Sequence, residues 1–358
     1  MITSEEVFDD DHLPERLLHR GQKVQRLAQA VNPTLTAGAG DDVLISGPSG
    51  VGKTVLARHT LDRLTTDADR RSVRVECLGK TTAGVLRAVL KQLPGQDYPQ
   101  NTPTEDLALY LRERVAELGD PVVVILDEAE DIPDTNALAR LGDVDLLSTV
   151  IVCHNPNEWL SKTTDRVRRR LLGNHIRLQR LGTEGLADVL EARADAGLRN
   201  GVVDRDQLLT IADERAGMPR KGIQSLYVAA MIAKERGHPA ILDQDIADCY
   251  ARADQRMRQL SLNSLPLHHH VFYEVVRRWG PLRGTPLQER YDAVADEIYA
   301  GRPQRPIESD RQRRNICTKL KTYDLIEHRG ATKGSEYVVC DPAVVSPLDL
   351  ALPETVQS

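Results

Sequence analysis

An octapeptide near the N-terminal end, GPSGVGKT at residues 47–54, has the residue types needed to hold a triphosphate. Its glycines permit a tight loop whose backbone N–H groups converge on phosphate oxygens, and a following helix adds favourable potential. Lys53 would neutralise the β and γ phosphates, and the Thr54 hydroxyl would bind Mg²⁺. An ordinary glycine turn is the alternative, but an apolar run precedes the loop and a helical pattern follows it. We therefore predict ATP/ADP and Mg²⁺ as cofactors, held by Gly47, Pro48, Ser49, Gly50, Val51, Gly52, Lys53 and Thr54.

Two further apolar runs end in polar residues that suit this site. VVVILDEAE, residues 122–130, places Asp127 to complete the Mg²⁺ shell with Thr54 and Glu128 to polarise an attacking water. A strand that merely ends in a charged loop is the alternative, yet a phosphate loop needs an acidic magnesium partner. TVIVCHN ends in Asn155, which is predicted to orient the water, although a lone asparagine also caps loops.

Apolar runs alternate with helical patterns from residue 42 to about 181. This alternation predicts an α/β domain with a buried parallel sheet, preceded by a helix over Leu17–Val31 that stops at Asn32-Pro33. The predicted strands are VLIS, RSVRVECLG, PVVVILDE and STVIVCHN, and the predicted helices cover 53–64, 82–93 and 105–118.

The C-terminal half contains two further predicted units. Four helical stretches without strands occupy residues 182–260 and predict a helical lid. Three helices and two short strands joined by a glycine-bounded turn follow in 261–346, which is the plan of a winged helix-turn-helix domain. The division is thus 1–181 for the α/β domain, 182–260, 261–346, and a polar tail at 347–358.

Composition excludes several classes of protein. The chain has 358 residues, 41% hydrophobic and 28% charged, and it contains no apolar run long enough to span a bilayer. The N-terminus does not resemble a signal peptide, so we expect a cytoplasmic, nucleoid-associated protein without a membrane partner. Five widely spaced cysteines without a C-x-x-C pair argue against a zinc site or a disulfide framework.

Charge is unevenly distributed along the chain. The net charge is −6, yet residues 302–334 carry nine basic and four acidic residues, a local charge of +5. Along the third helix of the winged-helix unit, four polar residues recur at intervals of three or four and share a face, opposite the predicted core residues Ile316 and Leu320. We predict that this helix and the wing bind duplex DNA. A protein-docking module and a merely solvated face are the alternatives. The predicted DNA contacts are Arg311, Arg314, Thr318, Lys321, Arg329 and Lys333.

Together these motifs resemble the AAA+ ATPases and, within them, the archaeal initiators related to origin recognition complex subunit 1 and cell division control protein 6. The resemblance covers nearly the whole chain. GPSGVGKT and VVVILDEAE match the Walker A and Walker B motifs, and TVIVCHN matches the first sensor strand, which ends in Asn155. LPERLLHRGQKVQRL is similar to the adenine-pocket segment, which assigns Arg20 to the nucleotide site.

The resemblance also implies roles for two arginines. DRVRRRL aligns with the segment that offers an arginine to a neighbouring subunit's nucleotide, here Arg170, and AGMPRKG resembles the second sensor, whose Arg220 reaches the γ phosphate. Two departures from the family stand out. Residues 131–149 are shorter than the family's helical insertion and hold Arg140 as their only basic residue, and the arginine run leaves open which arginine is the finger.

The implied function is an ATP-controlled initiator that binds origin duplex DNA, self-associates there and helps load the replicative minichromosome-maintenance helicase. ATP binding with slow hydrolysis would be the switch. A nucleotide-gated transcription regulator, an accessory paralogue and a motor such as a clamp loader or translocase are the other interpretations.

Overall fold

The computed structural model describes residues 1–37, 41–65, 71–132, 135–161, 163–330, 335–350 and 352. The chain divides into two compact units, Met1–Ala247 and Asp248–Ser358. The sequence prediction divides it instead at residues 181 and 260. None of the described helices combines the length and the hydropathy required to cross a membrane.

A five-stranded parallel sheet forms the centre of the first unit. Its strands are β1 Val43–Ser46, β2 Arg71–Glu76, β3 Val122–Asp127, β4 Leu147–Cys153 and β5 His175–Arg177. They lie in the order β2-β3-β4-β1-β5. Strands β3 and β4 are buried along their whole length, as their nearly continuous apolar sequences predict. Because the strands are parallel, the loop that follows β1 and the acidic residues at the end of β3 lie at the same edge of the sheet.

Helices cover both faces of the sheet, so the predicted α/β architecture is confirmed. The core helices are α1 Gly21–Ala37, α2 Lys53–Thr65, α3 Thr82–Gln92, α4 Thr104–Leu118, α5 Asn136–Leu141, α6 Pro156–Ser161 and α7 Asp165–Gly173. One cluster of buried side chains joins α1 and α2 to one face of the sheet, and another joins α3, α4 and α5 to the opposite face.

The first helix differs from its prediction at both ends. It begins at Gly21 rather than at Leu17, because His19 has a φ of 57°, which is incompatible with a right-handed helix. It also continues past Pro33 to Ala37. Proline removes one backbone donor, and the fully buried side chains of Leu27 and Val31 anchor the preceding turns to the sheet.

Three helices of the first unit lie in the predicted lid: α8 Thr183–Gly197, α9 Arg205–Glu214 and α10 Pro219–Glu235. The fourth predicted lid helix, α11 Asp243–Asn263, begins in the first unit and continues into the second. The first residues of the chain pack against α8 and α10. The Phe8 ring is 1% exposed and lies 5.3 Å from the ring of Tyr227, and the Gln224 amide donates to the Phe8 carbonyl at 2.7 Å. By its contacts, this N-terminal segment belongs with the lid.

The second unit has the order of elements that defines a winged helix. Its helices are α12 Leu267–Trp279, α13 Gly284–Tyr299 and α14 Asp310–Thr322, and the antiparallel strands β6 Ile326–Arg329 and β7 Glu336–Val339 follow. An isolated bridge from Leu282 to Tyr337 extends this small sheet. Buried side chains from all three helices, including Phe272, Tyr291 and Leu320, form its core.

Candidate functional site

The loop Gly47–Gly52 connects β1 to α2 and requires glycine at its first position. Gly47 has a φ of 151°, and a Cβ there would lie 2.3 Å from the Leu178 carbonyl oxygen. Only glycine allows this close approach of two backbones. Since α2 begins at Lys53, the positive end of its dipole lies at the loop, as phosphate binding requires.

Lys53 is held inside this loop. Its ammonium donates to the carbonyl oxygens of Gly47 and Pro48 at 2.9 and 2.8 Å, and it lies 3.1 Å from Nδ1 of His154. Burial lowers the pKa of Lys53, and the neighbouring Glu130 carboxylate opposes this shift. The sequence motifs do not single out His154, although it directly precedes the predicted Asn155.

Thr54 and Asp127 meet, as the two motifs predict. The Thr54 hydroxyl donates to Oδ1 of Asp127 at 3.0 Å, and Asp127 is 5% exposed. One hydroxyl and one carboxylate suit Mg²⁺, which takes its remaining ligands from phosphate and water. No described group of three or more His, Cys, Asp or Glu side chains is arranged to hold a metal ion. The Thr54 hydroxyl and the Asp127 carboxylate fit a metal ion that takes its other ligands from a nucleotide.

Glu128 follows β3 directly and has a φ of 53°, in the left-handed region. For a residue other than glycine this conformation costs about 1 kcal/mol or more, and such residues cluster at functional sites. It turns the chain immediately after Asp127. The role of Glu128 in polarising water stays a prediction.

Arg74, in β2, is a site residue that the sequence analysis missed. Its guanidinium donates to Oδ2 of Asp127 at 3.0 Å. It also lies 3.3 Å from Glu76 and 3.5 Å from Asp11. The only local signal was the alternation of polar and buried residues along this edge strand.

Asn155 directly precedes α6 and caps its first turn. Its side chain is exposed, and its Oδ1 accepts a hydrogen bond from the backbone N–H of Asn157 at 3.3 Å, at the start of α6. This is the loop-capping arrangement that the sequence analysis left open. The preceding residue, His154, contacts Lys53.

The two nucleotide-site arginines predicted outside the core motifs already have partners. Arg20 donates to the Gln179 carbonyl at 2.6 Å, and burial lowers its pKa. Arg220 is the second residue of the lid helix α10, and its backbone N–H donates to the Gly50 carbonyl at 3.2 Å. Its guanidinium binds both carboxylate oxygens of Asp10, at 2.7 to 3.1 Å. The lid arginine thus lies at the phosphate loop, but its charge is paired with the N-terminal segment.

Arg170 is engaged within its own subunit. Its guanidinium lies 2.7 Å from the carboxylate of Asp42, which precedes β1 at the sheet edge opposite the phosphate loop. Asp42 is 4% exposed and also accepts hydrogen bonds from the backbone and hydroxyl of Thr149. Arg170 is thus held by a buried carboxylate of its own subunit, whereas Arg166 and Arg169 of the same run are exposed.

The described residues of the short segment after Walker B, 131–132 and 135–149, include α5. Its Arg140 pairs with the Glu105 carboxylate.

On α14 the predicted DNA-facing residues lie on the outer face. Arg311, Arg314 and Thr318 are exposed and Lys321 is half-buried, whereas the core residues Ile316 and Leu320 are buried. Arg329 is exposed on β6, where its guanidinium lies 2.7 Å from Glu327. Lys333 lies outside the described residues.

Two basic residues of this patch point inward. Arg313 is 8% exposed; it pairs with Asp292 and stacks over the Tyr291 ring at 4.9 Å. Lys319 is also buried and lies 4.8 Å from the centre of the Tyr323 ring. The surface charge of the helix is therefore lower than the sequence count implies, and it is concentrated at Arg311 and Arg314.

Comparisons with known families agree with this architecture. Residues 42–180 match the model of an AAA domain, and residues 187–251 match the model of a Cdc6 AAA+ ATPase-type lid domain. The chain is 27% identical to ORC1-type DNA replication protein 9 of Halobacterium salinarum over 353 residues, covering 97% of this chain and 96% of that protein.

Solved structures share the fold over nearly the whole length. The ORC1 protein of Aeropyrum pernix in complex with DNA superimposes with a TM-score of 0.74 at 21% identity, covering 94% of this chain and 93% of that one. Cdc6p from Pyrobaculum aerophilum gives a TM-score of 0.63 at 23% identity, covering 98% and 96%.

Proposed function

Because this chain belongs to the archaeal ORC1/Cdc6-type AAA+ ATPases, we propose that it is a DNA replication initiator that binds origin duplex DNA under the control of ATP. Its α/β domain and lid would bind the nucleotide, and its winged helix would bind the DNA. Three considerations support the proposal: the residues gathered at the phosphate loop, the exposed face of α14, and the properties of the relatives.

In the nucleotide site, each side chain has a distinct task. Lys53 would leave its two loop carbonyls to contact the β and γ phosphates, while Thr54 and Asp127 would hold Mg²⁺, which supplies positive charge to the phosphates. Glu128 would orient the attacking water. Arg220 would have to leave Asp10 before it could bind the γ phosphate. The structures of the Aeropyrum pernix ORC2 protein with ADPNP and ADP support nucleotide binding by this fold.

The exposed cationic face of α14 is the observation that carries the DNA-binding proposal. A winged helix lays this helix in the major groove, where arginines bind guanine edges or phosphates. Arg311, Arg314 and Thr318 are directed away from the core, and Arg329 on the wing strand would contact the backbone. The structure of the Aeropyrum pernix ORC1 protein in complex with DNA supports DNA binding by this fold.

Nucleotide state would act as the switch. One state would favour tight DNA binding, self-association on DNA and recruitment of the minichromosome-maintenance helicase, and hydrolysis would end it. Hydrolysis by an isolated subunit is expected to be slow, because an arginine supplied by a neighbour contributes roughly 10³- to 10⁵-fold in related enzymes.

The proposed function is tested by measuring duplex binding with ATP, with ADP and without nucleotide. DNA flanking the chain's own gene provides the first probe, and chromosome-wide occupancy provides the second. Preferential binding in one nucleotide state, together with occupancy at a replication start, supports the initiator. Occupancy at many promoters would instead support a transcription regulator, and equal DNA affinity in all three states would refute the switch.

Arg314→Ala is expected to weaken duplex binding about tenfold and to leave ATP affinity unchanged, since one arginine contact contributes about 1–3 kcal/mol. Fluorescence anisotropy with a labelled duplex measures the first quantity, and calorimetry measures the second. Gln312→Ala, an exposed change on the same helix, is the matched control and should bind DNA like the parent chain. An unaltered DNA affinity for Arg314→Ala would remove α14 from the interface.

A further inference from the structure

Arg74 links Asp127, the Walker B aspartate, to Asp11 near the start of the chain. Its Nη2 lies 3.0 Å from Oδ2 of Asp127, while the other oxygen of that carboxylate accepts the Thr54 hydroxyl at 3.0 Å. Both oxygens of Asp127 are therefore bound by side-chain donors. Since Asp127 is 5% exposed, water screens this charge pair less than it screens a surface pair.

The Arg74 side chain is fixed by further contacts. Its Nη1 lies 3.5 Å from Oδ1 of Asp11, and Nη2 lies 3.3 Å from Glu76. Asp11 is also bound by Arg58 of α2, at 2.8 Å. Arg58 and Arg74 thus share one carboxylate, but within the contacts of the described residues Arg74 alone of the two reaches Asp127. This difference separates the two arginines experimentally.

We propose that Arg74 is a positioning residue of the nucleotide site, which holds Asp127 and supplies a fixed positive charge beside the Mg²⁺ position. The inference rests on the proposed nucleotide-binding function. A guanidinium at this place offsets the aspartate charge that attracts a divalent cation, and it adds favourable potential for the nearby phosphates. Two consequences follow. Nucleotide binding depends less on Mg²⁺ than it would with an unpaired Asp127, and the metal in the ternary complex binds more weakly.

The experiment compares the affinity for a fluorescent ATP analogue in MgCl₂ and in EDTA, using the full chain. The dissociation constant in EDTA, divided by that in MgCl₂, measures how strongly nucleotide binding depends on the metal. Arg74→Met removes the charge and keeps an aliphatic stem, and it should raise this ratio about tenfold, because a unit charge close to a buried carboxylate is removed. Arg74→Gln serves the same purpose with a smaller loss of polar contact. Arg74→Lys retains the charge and should stay near the parent ratio.

A second readout follows the metal directly. Mn²⁺ in place of Mg²⁺ is titrated in the presence of ATP and detected by electron paramagnetic resonance. Arg74→Met and Arg74→Gln should bind Mn²⁺ more tightly than the parent chain. Arg58→Met is the matched control, because it loses the same Asp11 partner without touching Asp127, and both of its measurements should equal those of the parent.

Each outcome bears on the inference. An unchanged ratio in a folded Arg74→Met or Arg74→Gln chain overturns it, and so does an equal change in Arg58→Met, which would attribute the effect to Asp11. Failure of the parent chain to bind the analogue in either buffer would refute the proposed nucleotide site itself. A higher ratio and tighter Mn²⁺ binding confined to the variants without charge at position 74 support the assignment.

Discussion

Lys53→Ala is expected to bind ATP about 100-fold more weakly than the parent chain while keeping its fold. The ammonium would contribute two charge-assisted contacts to phosphate oxygens, together worth about 3 kcal/mol or more. Its place at the carbonyl oxygens of Gly47 and Pro48 shows that the charge is already within the loop. Calorimetric titration with ATP measures the loss, and thermal unfolding measures the fold.

Two controls make the Lys53 result specific. Lys53→Met keeps most of the aliphatic stem and should lose ATP affinity equally, since the charge is what binds phosphate. Lys91→Ala changes an exposed lysine of α3 and should bind ATP like the parent chain. Burial lowers the pKa of Lys53, so its charged form is disfavoured in the fold, and replacing it should not greatly lower the melting temperature. Retained ATP affinity in both Lys53 variants would contradict the site.

Arg170→Ala is expected to destabilise the first unit by about 3 kcal/mol, because it leaves the buried Asp42 carboxylate without its cationic partner. For a unit of this size the melting temperature should fall by roughly 6–12 °C. If Arg170 served only a neighbouring subunit, its replacement by alanine would lower the rate of ATP hydrolysis and leave the melting temperature unchanged. The measurement therefore decides between the two roles of Arg170.

The pH dependence of the Arg170 variant has a defined sign. Burial raises the pKa of Asp42, and Arg170 opposes that shift. Without Arg170 the pKa of Asp42 in the folded state rises further. An acid whose pKa is raised by folding stabilises the fold at low pH and loses that contribution as the pH increases. The loss of stability of Arg170→Ala relative to the parent chain should therefore be smaller at pH 5 than at pH 8.

Asp42→Asn supplies the compensating change for this pair. Added to Arg170→Ala, it should recover part of the lost stability, because the amide oxygen still accepts from Thr149 and carries no charge. Arg169→Ala alters an exposed neighbour and should change stability by less than about 0.5 kcal/mol. Equal melting temperatures for the parent chain and Arg170→Ala would show that the ion pair does not stabilise the fold.

The sequence predicted the α/β core well because its signals are local. Strands β3 and β4 are continuous apolar runs, and both phosphate-site motifs follow such strands directly. Strand β5 was missed because it has three residues, of which Ile176 alone is fully buried. The predicted end of α1 was wrong because Asn32-Pro33 disfavours a helix locally, whereas the burial of Leu27 and Val31 against the sheet is a tertiary effect.

The side-chain pairs around the site could not be predicted from the sequence, because their members are far apart along the chain. Arg74 and Asp127 are 53 positions apart, and Arg220 and Asp10 are 210 apart. An acidic cluster or an arginine run indicates charge but does not specify its partner. Only the packing of the edge strand, the lid and the N-terminal segment determines which carboxylate each arginine meets.

The contact of Phe8 with the lid makes two distant positions interdependent. A Cβ on Gly197 would lie 2.5 Å from the Phe8 ring, so any larger residue at 197 would displace the aromatic wedge. Substitutions at positions 8 and 197 should therefore occur together among related sequences. A lid fragment cut at the boundaries of its family model, 187–251, would lack Phe8 and would expose the apolar surface beside Tyr227 that the Phe8 ring covers. Such a fragment is expected to aggregate unless the first residues of the chain are supplied as a peptide.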